Sequence, residues 1–139
     1  MTGVVYHANY LRWFERARSD MVRLLGIDQR AAHERGEGAY AVTDLAIRYR
    51  SPARLDDVVV IESRALELRG ASCRIGQRAL RADDRAPPVL LAEADVRVAF
   101  VAPDGRPRRQ PPAWREAFAS LVRSVSAGPG NSFDNQETR

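Results

Sequence analysis

Near the start of the chain a Gly-Val-Val segment, residues 3–5, runs into a Tyr6–His7 pair, and the pair runs directly into a stretch with helical spacing. This order suits electrophilic chemistry. The first turn of a helix carries free N–H groups, and the helix dipole adds partial positive charge there. A carbonyl oxygen that turns negative in a transition state is therefore stabilised at such a place. A glycine ahead of the turn lets a ligand approach the backbone closely. Rival chemistries have less behind them. No serine stands in a G-x-S-x-G setting. Cys73 is the sole cysteine, so the chain offers neither an internal disulfide nor cysteine spacing for a metal.

These residues need a helix behind them and a sheet beneath. Residues 8–25 place Tyr10, Trp13, Phe14, Ala17, Met21, Leu24 and Leu25 on one helical face, with Arg12, Glu15, Arg16, Asp20 and Arg23 opposite. Arg16 and Asp20 have the spacing of a weak ion pair, and Gly26 is a fitting stop. A short polar helix is predicted over 28–37, capped by Asp28, with His33 exposed. The period then changes to two. Strands are predicted at 40–50, 57–68, 72–82 and 89–102. In the first, Thr43, Leu45, Ile47 and Tyr49 share a face. In the third, Cys73, Ile75 and Ala79 oppose Arg74 and Arg78. In the last, Ala94, Val96, Val98 and Phe100 alternate with Glu93, Asp95, Arg97 and Ala99. "SPARLDD", "RGAS", "DDRAPP" and "PDGRP" read as the connecting turns, with Asp56 and Asp57 as turn residues rather than a reactive pair. Pro112 opens a last helix over 112–125, whose Trp114, Phe118 and Leu121 would pack on the body. From Ser126 the chain is polar and rich in Gly and Pro, and disorder is expected there. The fold class is thus α+β, one domain over 1–125 with an antiparallel sheet under a long helix. Open sheet edges favour association.

The formal charge is +4, and all 22 basic residues are arginine. Arginine suits phosphate, yet these arginines are scattered among acids, and the one cluster, "RPRR" at 106–109, reads as surface. The aromatics lie on a helix face instead of interleaving with a basic patch, which argues against a nucleic-acid module. No apolar run approaches the ~20 residues of a membrane span. No charged-then-apolar leader opens the chain, and the cytoplasm is the expected location.

"GVVYHANYLRWFERAR" closely resembles the signature of hotdog-fold acyl-CoA thioesterases, the group of the Tol–Pal-associated and 4-hydroxybenzoyl-CoA thioesterases. "YRSPARLDD", "LRGAS" and "AEADVRVAFV" follow in that family's order, so the likeness extends over about residues 3–112. The resemblance implies a sheet wrapped around one central helix. It implies hydrolysis of a coenzyme A thioester as substrate, with no further cofactor and no metal. It assigns the His7 backbone N–H to polarising the thioester carbonyl, puts the Tyr6 and His7 side chains in the site, and sets Gly3 and Val5 along the substrate. It places Arg69 and Ser72 of "LRGASC" at the nucleotide, with Arg50 a weaker candidate there. The strand at 40–50 would lie at the seam of a homodimer or of a tetramer built from dimers.

In the family an Asp-x-Asp-x-x-Gly segment, preceded by an edge strand, leads into Gly-Val-Val. With Gly3 aligned on that Gly, the catalytic Asp would stand immediately before Met1. The chain as given is therefore expected to lack the first edge strand and to be weak or inactive alone. His7 and Glu15 are the nearest substitutes as base, and Asn9 would brace the helix start. The alternative is a non-catalytic hotdog protein that binds acyl-CoA or an acyl carrier protein.

Overall fold

Phe14 has no exposed surface and Tyr10 only 2%, and both lie on the apolar stripe of the first long helix. A computed structural model describes residues 7–54, 56–83 and 86–127. In chain order the elements are α1 (His7–Leu24), α2 (Gln29–Glu34), β1 (Ala39–Tyr49), β2 (Val58–Leu68), β3 (Ser72–Asp83), β4 (Ala86–Val101) and α3 (Pro112–Ala127). The four strands form one antiparallel sheet in the order β1-β4-β3-β2. β2, β3 and β4 form successive hairpins, and β1 joins the far side of β4. β1 and β2 are therefore the edges.

α1 stops where the sequence says it should, at Gly26, whose φ of +82° closes the last turn without strain. Its stripe rotates slightly from expectation. Val22 is buried, while Leu24 on the other flank is 88% exposed. Asp20 pairs with Arg23, three residues on, rather than with Arg16. Asp28 caps α2 by accepting from the Ala31 N–H at 3.0 Å. Gly38 precedes β1 because a Cβ there would stand 2.3 Å from the Val101 carbonyl oxygen.

The predicted strand faces hold, with two corrections. In β1 the register skips Thr43, since Val42 faces Val98 and Asp44 faces Arg97. This bulge moves Thr43 off the Leu45 face and puts Val42 there in its place. The "DDRAPP" stretch is not all loop, because β4 already begins at Ala86. Beyond Ala92 β4 has lost its β1 partner, so Pro87 and Pro88 sit where one edge is open and a missing N–H costs little. α3 likewise runs past its expected end to include Ser126 and Ala127. The rest of the expected disordered tail, from Gly128, lies outside the described residues.

α1 covers the inner face of the sheet, where Ala94, Val96, Val98 and Phe100 of β4 and Cys73, Ile75 and Ala79 of β3 are buried. Phe118 of α3 is also fully buried, with its ring 5.9 Å from that of Tyr40. The outer face is a charge ladder. Register places Arg48, Glu93, Arg78 and Glu62 in one row across the strands. Asp44, Arg97, Arg74 and Glu67 form another, with the row of Asp95 and Arg64 between them. Arg74 and Arg97 stand opposite each other, and their repulsion is relieved by Asp95, 2.6 Å from Arg74, and Glu67, 3.6 Å from Arg97. Much of the arginine content is engaged here.

A polar pair, Gln77 and Ser63, joins the inner face. Gln77 is fully buried, in phase with Cys73, Ile75 and Ala79. Its Nε2 donates to the Phe14 carbonyl at 2.9 Å and to the Ser63 hydroxyl at 2.9 Å, and its Oε1 accepts from Arg18 at 2.8 Å. Removing the amide strands these partners in a dry site. Gln77→Ala is expected to lose about 2–3 kcal/mol of stability in urea titration, more than its volume alone would explain. A loss below about 1 kcal/mol would show the network to be energetically idle.

Burial also pushes the Cys73 thiol up to about 11 from an ordinary 9.0. A thiol raised on folding contributes stability in full below its ordinary value, and that contribution disappears as pH climbs through about 11. The native protein should thus resist thiol reagents at pH 8 until it unfolds. Its stability should fall between pH 9.0 and about 11, and by less in Cys73→Ala. Rapid native-state labelling at pH 8 would contradict this.

Candidate functional site

α1 begins at His7, so the His7 N–H belongs to the first turn, whose donors have no acceptor within the helix. Two residues further on, Asn9 accepts a hydrogen bond from Arg12. Tyr10 then fixes the turn against the sheet. Its ring meets Trp13 at 5.3 Å and Tyr49, the last residue of β1, at 5.6 Å, both edge-on. Among the described residues the buried Tyr10 hydroxyl has no hydrogen-bond partner. Burial, then the neighbouring Tyr49 and Asp57, raises its pKa. The start of α1 thus lies over the end of the sheet where Tyr49, Ala92 and Ala79 stand side by side.

Open clefts flank α1. One, about 440 Å³, lies toward β2 between Trp13, Arg16, Arg54 and Ile61. The other, about 410 Å³, lies toward β1 between Leu11, Glu15, Arg18, Val42 and Leu45. Glu15 is thus an exposed carboxylate on the β1 side of the helix, eight residues beyond His7. Asp57 is a turn residue, accepting from the Arg54 N–H at 2.9 Å and lying 3.9 Å from Arg81.

Gly3, Val5 and Tyr6 lie outside the described residues, as does the side chain of His7. Arg69 and Ser72 occupy the β2–β3 turn, at the opposite end of the sheet from Tyr10. Ser72 stands level with Ala99, seven residues along β3 from Ala79, or roughly 23 Å at strand rise. A single chain therefore does not bring Arg69 and Ser72 to His7. Arg69 donates to Glu67 at 2.5 Å, and this bond, first among its causes, holds the Glu67 carboxyl below its usual range. The Ser72 hydroxyl is 3.5 Å from Arg97. Arg50 grips the buried Glu93 at 2.9 and 2.5 Å. His33 is exposed, as are Arg106, Arg108 and Arg109. Arg108 donates to the Glu37 carbonyl at 2.6 Å. Among the described residues no cluster of His, Cys, Asp or Glu has the makings of a metal site.

One residue near the turn is absent from the sequence reading. Gln110, in the connection between β4 and α3, is 2% exposed. Its side chain donates to the Arg69 carbonyl at 2.9 Å and accepts from the Tyr40 hydroxyl at 2.6 Å. It stands in a loop with no periodicity, between Arg109 and Pro111, and no pattern marks it.

The profile of the Thioesterase superfamily matches residues 2–87, from before α1 to the start of β4. The acyl-CoA thioesterase YbgC of Haemophilus influenzae is 40% identical over 99 residues, 71% of this chain and 69% of that one. Among solved structures, a probable thioesterase from Bartonella henselae is 33% identical with a TM-score of 0.68, covering 78% of this chain and 86% of the other. 4-Hydroxybenzoyl-CoA thioesterase from Pseudomonas sp. strain CBS-3 is 26% identical with a TM-score of 0.73, covering 83% and 86%. Match, topology and the helix that begins at His7 agree, and the chain belongs to the thioesterase superfamily with a hotdog fold.

Proposed function

We propose that the protein is a hydrolase of acyl-CoA thioesters. The observation that carries this reading is the start of α1 at His7, inside the span of the family match. A thioester carbonyl is electrophilic, and attack at its carbon drives negative charge onto oxygen. The first-turn N–H groups, His7 among them, receive that charge, and the dipole of an 18-residue helix adds to it. The His7 and Tyr6 side chains line the reacting group, with Gly3 and Val5 along the acyl-pantetheine arm. The attacking base or nucleophile is a carboxylate. Glu15 is the described carboxylate on α1 nearest in sequence to His7.

The working unit in this reading is a homodimer joined along β1. β1 has an unpaired edge. Beside it Leu11, Val42, Leu45 and Tyr49 are each 40–47% exposed, a run of apolar surface on a strand edge. Two β1 edges paired across a two-fold axis run antiparallel. The axis reverses the sheet, so the end of one copy that carries the Arg69–Ser72 turn lies beside the end of the other that carries His7. The separation within one chain then becomes proximity between copies, with thioester at one and nucleotide at the other.

Release of free thiol from acyl-CoA tests the activity. His7→Pro removes one N–H while keeping a residue suited to a first helical turn. It should lower kcat by about 100-fold with KM little changed, as expected for one lost oxyanion donor. His7→Ala reports separately on the imidazole. If the natively expressed protein binds acyl-CoA yet releases no thiol, the hydrolase reading fails and the binding-protein reading replaces it.

Leu45→Arg tests the seam. In sedimentation it should shift the protein to monomer, and it should lose turnover together with CoA affinity. A variant that stays dimeric moves the seam elsewhere. A monomer with unchanged kcat/KM would show that each chain holds a whole site.

A further inference from the structure

The β2–β3 turn has an unusual disposition of its polar groups. The Arg69 carbonyl accepts from Gln110 Nε2 at 2.9 Å, and the Gly70 carbonyl accepts from the Gln110 N–H at 2.9 Å. The Ala71 carbonyl accepts from the Phe100 N–H at 2.7 Å. The Ser72 carbonyl accepts from the Arg69 N–H at 2.8 Å and from Gln110 Nε2 at 3.3 Å. Every carbonyl of the turn is thus satisfied from within the protein. The Gly70 and Ala71 N–H groups, by contrast, have no acceptor among the described residues. The turn offers these two amides and the Ser72 hydroxyl, beside the Arg69 guanidinium, which bonds Glu67 at 2.5 Å. A loop with its carbonyls turned in and its N–H groups turned out receives anions.

Gln110 produces this arrangement. Its Oε1 accepts from two donors, the Tyr40 hydroxyl at 2.6 Å and the Cys73 thiol at 3.2 Å. The Arg69 and Ser72 carbonyls fix which way the amide faces, because they can only accept, whereas the hydroxyl and the thiol can donate to Oε1. Nε2 therefore points at the turn's carbonyls. Tyr40 lies on β1 and Cys73 on β3, so the amide is clamped from both sides before it reaches the turn.

We propose that Gln110 is a positioning residue for coenzyme A recognition: it draws in the Arg69, Gly70 and Ser72 carbonyls so that the turn's N–H groups, with Arg69 and Ser72, face the nucleotide phosphates. The proposal rests on the reading that this turn meets the nucleotide, and it adds the residue that shapes the turn and the backbone donors that the shape exposes.

The test compares two ligands by calorimetry on the full chain, coenzyme A and pantetheine, which lacks the nucleotide. Gln110→Ala should weaken coenzyme A by about tenfold and leave pantetheine within about twofold. Gln110→Asn keeps an amide too short to span Tyr40 and the turn, and it carries the same expectation if the Ala variant does not fold. Thermal melts confirm which variant is native. Equal weakening of both ligands would make Gln110 merely structural and overturn the proposal. Arg69→Ala separates this from the underlying reading. If Arg69→Ala lowers the coenzyme A to pantetheine ratio while folded Gln110 variants keep it, the role of Gln110 falls alone. If Arg69→Ala leaves the ratio unchanged, the turn does not meet the nucleotide and both readings fall.

Discussion

The hydrogen bond from Gln77 to the Phe14 carbonyl, 2.9 Å, is the contact on which the placement of the helix depends. Apolar packing is nearly non-directional, and a helix held on a sheet by Phe14, Tyr10 and Val22 alone has shallow barriers to sliding along its axis. A directional bond to one main-chain oxygen fixes that axial position. Phe14 is seven residues from His7, about 10 Å of helix, so the same bond sets how far the first turn reaches over the sheet end. Electrophilic stabilisation needs donors held within a few tenths of an ångström of the developing oxyanion. The rigidity that this demands comes from a buried amide well away from the reacting atoms.

The sheet in turn is held in register by its two unlike faces. A slip of one residue would exchange the charge ladder of Glu93, Arg78 and Glu62 with the core set of Ala94, Gln77 and Ser63. Register shifts fall at Thr43 in β1, between Ala65 and Glu67 in β2, at Leu91 of β4 opposite the Ala79–Leu80 step, and between Arg81 and Asp83 of β3. Bulges increase twist, and a twisted sheet can wrap a helix where a flat one cannot. The arginine-rich composition then has a structural use: Arg74 pairs with Asp95, Arg78 with Glu62 and Arg97 with Glu67, each across strands.

Alternation and helical spacing made the elements legible, because burial on one face is a local property of sequence. Thr43 and Pro87 were misplaced for related reasons: a bulge changes parity without a compositional mark, and a proline is harmless only once β1 has ended, which the local sequence does not say. Gln77 was readable in principle, since it stands in phase with Ile75 and Ala79. Arg50 and Glu93 meet across 43 residues, and Gln110 meets Arg69 across 41. Such pairings arise from topology, and nothing near Arg50 or Gln110 announces them. The chemistry of the "LRGASC" turn was likewise legible, but its distance from His7 follows only from the length and register of β3.

Gln77, midway along β3, and Gln110, beside the β2–β3 turn, show why glutamine serves in both places. Each amide accepts on one side and donates on the other, so each can join a side-chain donor to a main-chain carbonyl. At Gln77 the donor is Arg18 and the carbonyl is that of Phe14. At Gln110 the donors are Tyr40 and Cys73 and the carbonyls belong to Arg69 and Ser72. An ionised carboxylate in either place would have no hydrogen to give, and an aliphatic chain would leave the partners unsatisfied. A lysine could donate but not accept. The helix start and the turn lie at opposite ends of β3, and each is fixed by its own buried amide. A change at Gln110 therefore reaches the turn without passing through the contact that seats α1.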